Sequence, residues 1–148
     1  MRLLLVLVAL LASCAVPERK PEESPTSPAA PPLVPALPPY RESVAVAGLM
    51  EGARAESAAG NLAGAAASLE RALRIEPRNP RLWHELARVR FRQGQHAQAE
   101  NIAARSNSWA GDDKPLRAEN WRLIAESRRA RGDNEGAKAA LDRAASSP

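Results

Sequence analysis

Few residues in this 148-residue chain are of a type that could make or break bonds. There are two histidines, His84 and His96, and one cysteine, Cys14. An imidazole acting as a general base needs a partner within hydrogen-bond reach. The sequence offers no GxSxG turn, no phosphate-cradling Gly-rich loop and no spaced set of metal ligands. Neither a cofactor nor a metal is therefore expected, and the chain reads as a non-enzyme. His84 reads as a polar groove residue and His96 as a turn residue. The chemistry on offer is recognition. Arg81, His84, Arg88 and Arg92 recur at i, i+3, i+7 and i+11, which places them on one face of a helix with Phe91 beside them. Guanidinium forks pair with carboxylates through two parallel hydrogen bonds. Such a stripe suits an acidic or carboxylate-bearing peptide or protein surface. The plainer alternative is a solvated face whose charges pair internally, as Glu85 with Arg81.

Cys14 belongs to a different chemistry. A short basic start, Met1-Arg2, precedes the apolar run from Leu3 to Ala12, and Leu11-Ala12-Ser13-Cys14 closes it. This is the layout of a secretory signal peptide, and its last four residues resemble a bacterial lipobox. The run is about half of the roughly 20 apolar residues that a membrane span needs. The resemblance implies that residues 1–13 are removed and that Cys14 carries acyl chains in a lipid bilayer. Each buried methylene adds about 0.8 kcal/mol, so two or more chains anchor stably. Ala15, where inner-membrane retention would place Asp, favours the outer membrane. With its one thiol lipidated, the chain has no disulfide.

The elements that must position the Arg stripe lie further on. Residues 14–40 form a linker in which Pro17 to Pro39 holds nine of the 13 prolines. Proline fixes φ and has no N–H, so the stretch reads as a disordered, polyproline-biased spacer. At about 3.1 Å per residue, such a spacer reaches at most ~80 Å. Pro35 and Pro38 also have PxxP spacing, the pattern of a groove ligand. Residues 41–148 change character. They are rich in Ala, Leu, Arg and Glu, which are strong helix formers. The chain carries 21 Lys+Arg against 17 Asp+Glu, a net charge of +4. An excess this small does not argue for a nucleic-acid partner, and nothing points to a small-molecule substrate.

Three helix pairs superimpose on one another. Gly60, Gly94 and Gly132 each precede a small residue by five, at Ala65, Ala99 and Ala137. Trp83 and Trp121 each precede the turn glycine by eleven. The units read Trp83-His84-Glu85-Leu86-Ala87 and Trp121-Arg122-Leu123-Ile124-Ala125. These positions resemble the 34-residue tetratricopeptide repeat, and the resemblance covers about residues 44–147. It implies an all-α fold of about three tetratricopeptide hairpins. Two departures stand out. The position usually held by a large aromatic is Arg90, with Glu56 and Arg128 as its equivalents. The second and third repeats are 38 residues apart, through the segment from Asn107 to Pro115, so a longer loop or an early-starting fifth helix is expected there. Ending on a sixth helix is expected to leave one face under-covered.

The resemblance also implies a concave surface lined by the first helix of each pair. Its groove positions fall on Met50 and Arg54, on Arg81, His84, Arg88, Phe91 and Arg92, and on Arg122, Glu126 and Arg129. Of these, Arg54, Arg81, His84, Arg88, Phe91, Arg92, Arg122 and Arg129 are the candidate partner contacts. Trp109, in the irregular segment, is a further candidate anchor or a residue that packs the loop down. Trp83 and Trp121 read as core. Lipobox, tether and repeats together are similar to the outer-membrane lipoprotein activators of peptidoglycan synthases. That likeness implies a periplasm-facing regulator whose partner is a class A penicillin-binding protein. The alternative is a pilotin or assembly factor for an outer-membrane secretin or β-barrel machine. A hydrolase would need a carboxylate such as Glu85 or Glu126 to act on the wall itself.

Overall fold

The structure is a computed structural model that describes residues 43–146. The expected signal peptide, lipidated Cys14 and Pro-rich linker lie outside the described residues. Six helices follow one another: α1 (Val44–Ala58), α2 (Leu62–Ile75), α3 (Pro80–Arg92), α4 (His96–Trp109), α5 (Lys114–Ala130) and α6 (Asn134–Ala145). They pack as three hairpins, α1 with α2, α3 with α4 and α5 with α6. Successive hairpins meet through α2 with α3 and α4 with α5, and α3 also touches α5. The fold is all-α, built of tetratricopeptide-like hairpins. Among the described residues no helix is long and apolar enough to cross a membrane.

Side-chain caps start five of the six helices, all but α4. The side chains of Ser43, Asn61, Asn79, Asp113 and Asp133 accept from backbone N–H groups in the first turns of α1, α2, α3, α5 and α6. Those groups have no partner within the helix. Pro80 and Pro115 sit in first turns, where a missing N–H costs nothing. The three hairpin turns share one closure. Gly60, Gly94 and Gly132 adopt φ of 83°, 77° and 84°, and the residue after each donates back to the carbonyl of Glu56, Arg90 or Arg128 at 2.9–3.0 Å. This is the six-to-one bond of a Schellman ending, which requires a left-handed residue at the glycine position.

Small residues set the packing distance. Ala65, Ala99 and Ala137 are all buried, so the two backbones of each hairpin approach closely. One apolar cluster joins Val46, Leu69 and Leu82 across the first two hairpins, and a second joins Ala103, Ile124 and Ala140 across the last two. The residues that replace the family's aromatic tie helices together through polar contacts. Arg90 on α3 pairs with Glu70 on α2. Arg128 on α5 pairs with Glu100 on α4 at 2.7 Å. Glu56 accepts from Ser68 Oγ at 3.0 Å.

The four extra residues between the second and third turns lie in α5. That helix begins eighteen residues before its turn glycine, whereas α3 begins fourteen before its own. Of the two expected outcomes, the early-starting helix is the one adopted. One expectation is corrected. Asn107, Ser108 and Trp109 are not irregular but complete α4, and only residues 110–113 connect it to α5. Trp109 thereby takes the same place in α4 that Ile75 takes in α2. On α6 the one exposed large apolar side chain is Leu141, at 40%.

Candidate functional site

Two hollows lie along the first helices of the hairpins. The first, about 270 Å³, is floored by Met50, Ala53, Leu69 and Val89 and rimmed by Arg54, Arg88 and Arg92. The second, about 310 Å³, lies between α3 and α5 and is lined by His84, Arg88, Glu119, Arg122, Leu123 and Glu126. Arg88 borders both. The helical spacing therefore does gather Arg54, Arg88, Arg92 and Arg122 along one concave surface with an apolar floor.

The surface is less uniformly basic than the Arg stripe suggests. Glu85 lies between Arg54 and Arg88, 3.4 Å from one guanidinium and 3.5 Å from the other. The expected Glu85 to Arg81 pair is not formed. Arg81 turns to Asp113 at 3.4 Å, because the helix-capping Asp113 stands nearer to it than Glu85 one turn along. Arg54 also holds Glu51 at 2.6 Å. Burial works against its charge, but the hydrogen bonds and charges of Glu51 and Glu85 outweigh burial and hold the guanidinium above its ordinary pKa. Arg92 donates to Ser57 Oγ across the first hollow. The charges there are thus already partly matched, and an incoming carboxylate would compete with Glu85 for the same forks.

His84 is not an open groove residue. It is 9% exposed, with its ring in a buried chain of hydrogen bonds. Asn120 Nδ2 donates to Ser106 Oγ at 2.8 Å and to Asn107 Oδ1 at 2.9 Å. The Asn120 oxygen must then accept, so the proton of the contact lies on His84 Nδ1, at 2.8 Å. Ser106 Oγ donates onward to the carbonyl of Pro80 at 2.8 Å. This leaves His84 Nε2 facing Glu119 Oε2 at 3.7 Å. The arrangement links α3, α4 and α5. Asn120 escaped sequence reasoning because an isolated Asn on a helix usually faces solvent.

Phe91 is half-buried in the second apolar cluster with its ring centroid 4.9 Å from that of His96, so it faces away from the groove. Arg129 is exposed near the end of α5 and lines neither hollow. Trp109 lies outside the groove, 39% exposed, with the Arg78 guanidinium 5.2 Å above its ring. Trp83 and Trp121 are half-buried against the two clusters, and Arg105 and Arg143 cover their rings at 4.6 and 4.8 Å. Each of these two arginines falls eleven residues after its turn glycine, as each Trp falls eleven before. Arg71 and Leu49 hold the same places in the first hairpin. That symmetry was present in the sequence as spacing.

Comparison with known proteins agrees with the hairpin geometry. The sequence model of the tetratricopeptide repeat family matches residues 57–118. No curated protein matches the chain. Among solved structures, the globular C-terminal domain of P. aeruginosa LpoP is similar, with 42% identity and a TM-score of 0.68, over 70% of this chain and 98% of that one. A likeness at that identity, over nearly the whole of a solved domain, shows kinship beyond a shared fold. The chain belongs to the tetratricopeptide repeat family as a relative of LpoP.

Proposed function

We propose that this protein is a periplasm-facing outer-membrane lipoprotein, anchored through Cys14, that binds and activates a class A penicillin-binding protein through its repeat domain. The observation that carries the reading is the likeness to the LpoP domain over 98% of its length. The site adds a physical reason to expect a protein partner. Four guanidiniums border two shallow hollows of about 270 and 310 Å³. Shallow, mixed surfaces of this kind suit a protein segment with carboxylates. Binding to one conformation of the synthase would raise its rate by shifting its population toward that conformation. The linker fits the job, since a spacer that reaches ~80 Å can carry a recognition domain away from the membrane.

The test adds the full chain, in detergent, to purified class A synthases of the same organism and follows glycan polymerisation and cross-linking. Stimulation of one synthase, lost with Arg88→Glu, supports both the role and the groove. Stimulation that survives Arg88→Glu keeps the role and moves the contact elsewhere. No binding and no stimulation of any synthase would falsify the activator reading.

A further inference from the structure

A second surface lies on the outer side of α4, away from the Arg54 and Arg88 groove. Leu73, Pro77, Trp83, Leu86 and Ile102 floor a hollow of about 500 Å³ between α2, α3 and α4. It is the more apolar of the surfaces described, and its volume falls in the range of ligand-binding clefts. Arg105 joins it to a second hollow of about 460 Å³ that contains Ala104, Ser108 and Trp109. Together they form an extended track that ends at an exposed indole, beside Arg78.

Charge complementarity says what the track would hold. Arg74 and Arg105 line the first hollow, and Arg78 stands over Trp109. None of the three is in an ion pair within the described residues. The one acidic residue at the rim, Glu70, is held by Arg90. This differs from the concave groove, where Glu85 already serves two guanidiniums. Arg105 and Arg78 lie over indole rings, which stiffens them and leaves their edge N–H groups to donate outward. Trp83 is fixed in turn, because its Nε1 donates to Pro77 O at 2.8 Å. Stiff cations around an apolar floor lose little freedom on binding.

We propose that the outer side of α4 is a second docking surface, which takes an extended protein segment that alternates acidic and aliphatic or aromatic side chains. The apolar side chains enter the hollow over Trp83 and Ile102 and the second hollow at Trp109. The carboxylates pair with Arg74, Arg105 and Arg78. Two faces with separate cations let the domain hold two segments at once, so it works as a bridge.

The probe is a random ten-residue peptide library on phage, panned against the full chain in detergent micelles. Enriched peptides are then made with a fluorescent label and measured by anisotropy. Sequences that place Asp or Glu next to Leu, Ile, Val, Phe or Trp are expected. Their affinity falls at least tenfold in the Arg74→Glu, Arg105→Glu double variant and partly in the corresponding Gln variants. It stays within twofold in Arg88→Glu. Thermal melting confirms that each variant is folded. Enrichment without acidic residues, no enrichment, or binding that survives the double reversal overturns the proposal. Loss with Arg88→Glu instead assigns the peptides to the concave groove and also overturns it. So do phosphatidylglycerol vesicles that bind in an Arg105-dependent way and displace the peptides, since the surface would then recognise lipid phosphate. A synthase that ignores the chain refutes the activator role and leaves this surface standing.

Discussion

At the residue scale, two groups of side chains make opposite demands on the chain. Asn120 is fully buried and satisfies Ser106, Asn107 and His84 together. Asn120→Ala orphans several of these at once, at about 1–3 kcal/mol for each polar group left unsatisfied. Urea denaturation should show a lower midpoint, and an unchanged midpoint would mean that water replaces the amide. Arg88, by contrast, is exposed and borders both concave hollows. Arg88→Glu should leave the urea midpoint nearly unchanged while weakening the partner about tenfold or more. The pH dependence has a definite sign. Because the folded pKa of Arg54 is raised, its contribution is present below the unfolded value and is lost only as pH rises through the folded one. That lies above the range in which proteins are handled. Affinity for an acidic partner should therefore be flat on the alkaline side and fall on the acid side as carboxylates protonate. Titration calorimetry from pH 4 to 9 would check this. The sequence revealed which arginines share a face, since that needs only helical periodicity. It did not reveal that Glu85 serves Arg54, because the two are 31 positions apart and nothing local joins them.

The helices show what a turn residue decides. Gly94 holds φ of 77°, and a Cβ there would meet nothing within 4 Å. The cost of Gly94→Ala is then backbone strain alone, about 1–2 kcal/mol, readable as a drop in melting temperature. A larger loss would point to a contact that the open space does not suggest. Most of the helix plan was legible for this reason. Glycines that close turns, capping Asn and Asp residues and prolines in first turns carry their signal within a few positions. The end of α4 was not legible. The 38-residue spacing pointed to an irregular segment from Asn107 to Pro115, but Asn107, Ser108 and Trp109 continue the helix because Ser106 and Asn107 are held from α5 by Asn120. Tertiary contact there overrides weak propensity. The place of Phe91 was missed for a similar reason. Its neighbour on the helix, Arg92, faces the groove, and one residue further round brings the ring to the other hairpin.

At the scale of the molecule, stability is a sum of hairpins and of the interfaces between them. α3 packs against α2, α4 and α5, so the middle hairpin has neighbours on both sides. Amide exchange should be slowest in α3 and α4 and faster in α1 and α6; uniform protection across the six helices would contradict this. The two interfaces are also unlike in kind. Val46, Leu69 and Leu82 make the first largely apolar, whereas the second contains the chain of His84, Asn120 and Ser106. Arrays of similar repeats are prone to misassembly, in which one hairpin takes its neighbour's place. Here that exchange would bring an extra helical turn against a partner of the wrong length and leave a buried amide facing aliphatic carbon. The polar contact and the four added residues of α5 thus act as an address. They give each hairpin one position in the stack, and they penalise crossed pairing between two copies of the chain held at high local concentration.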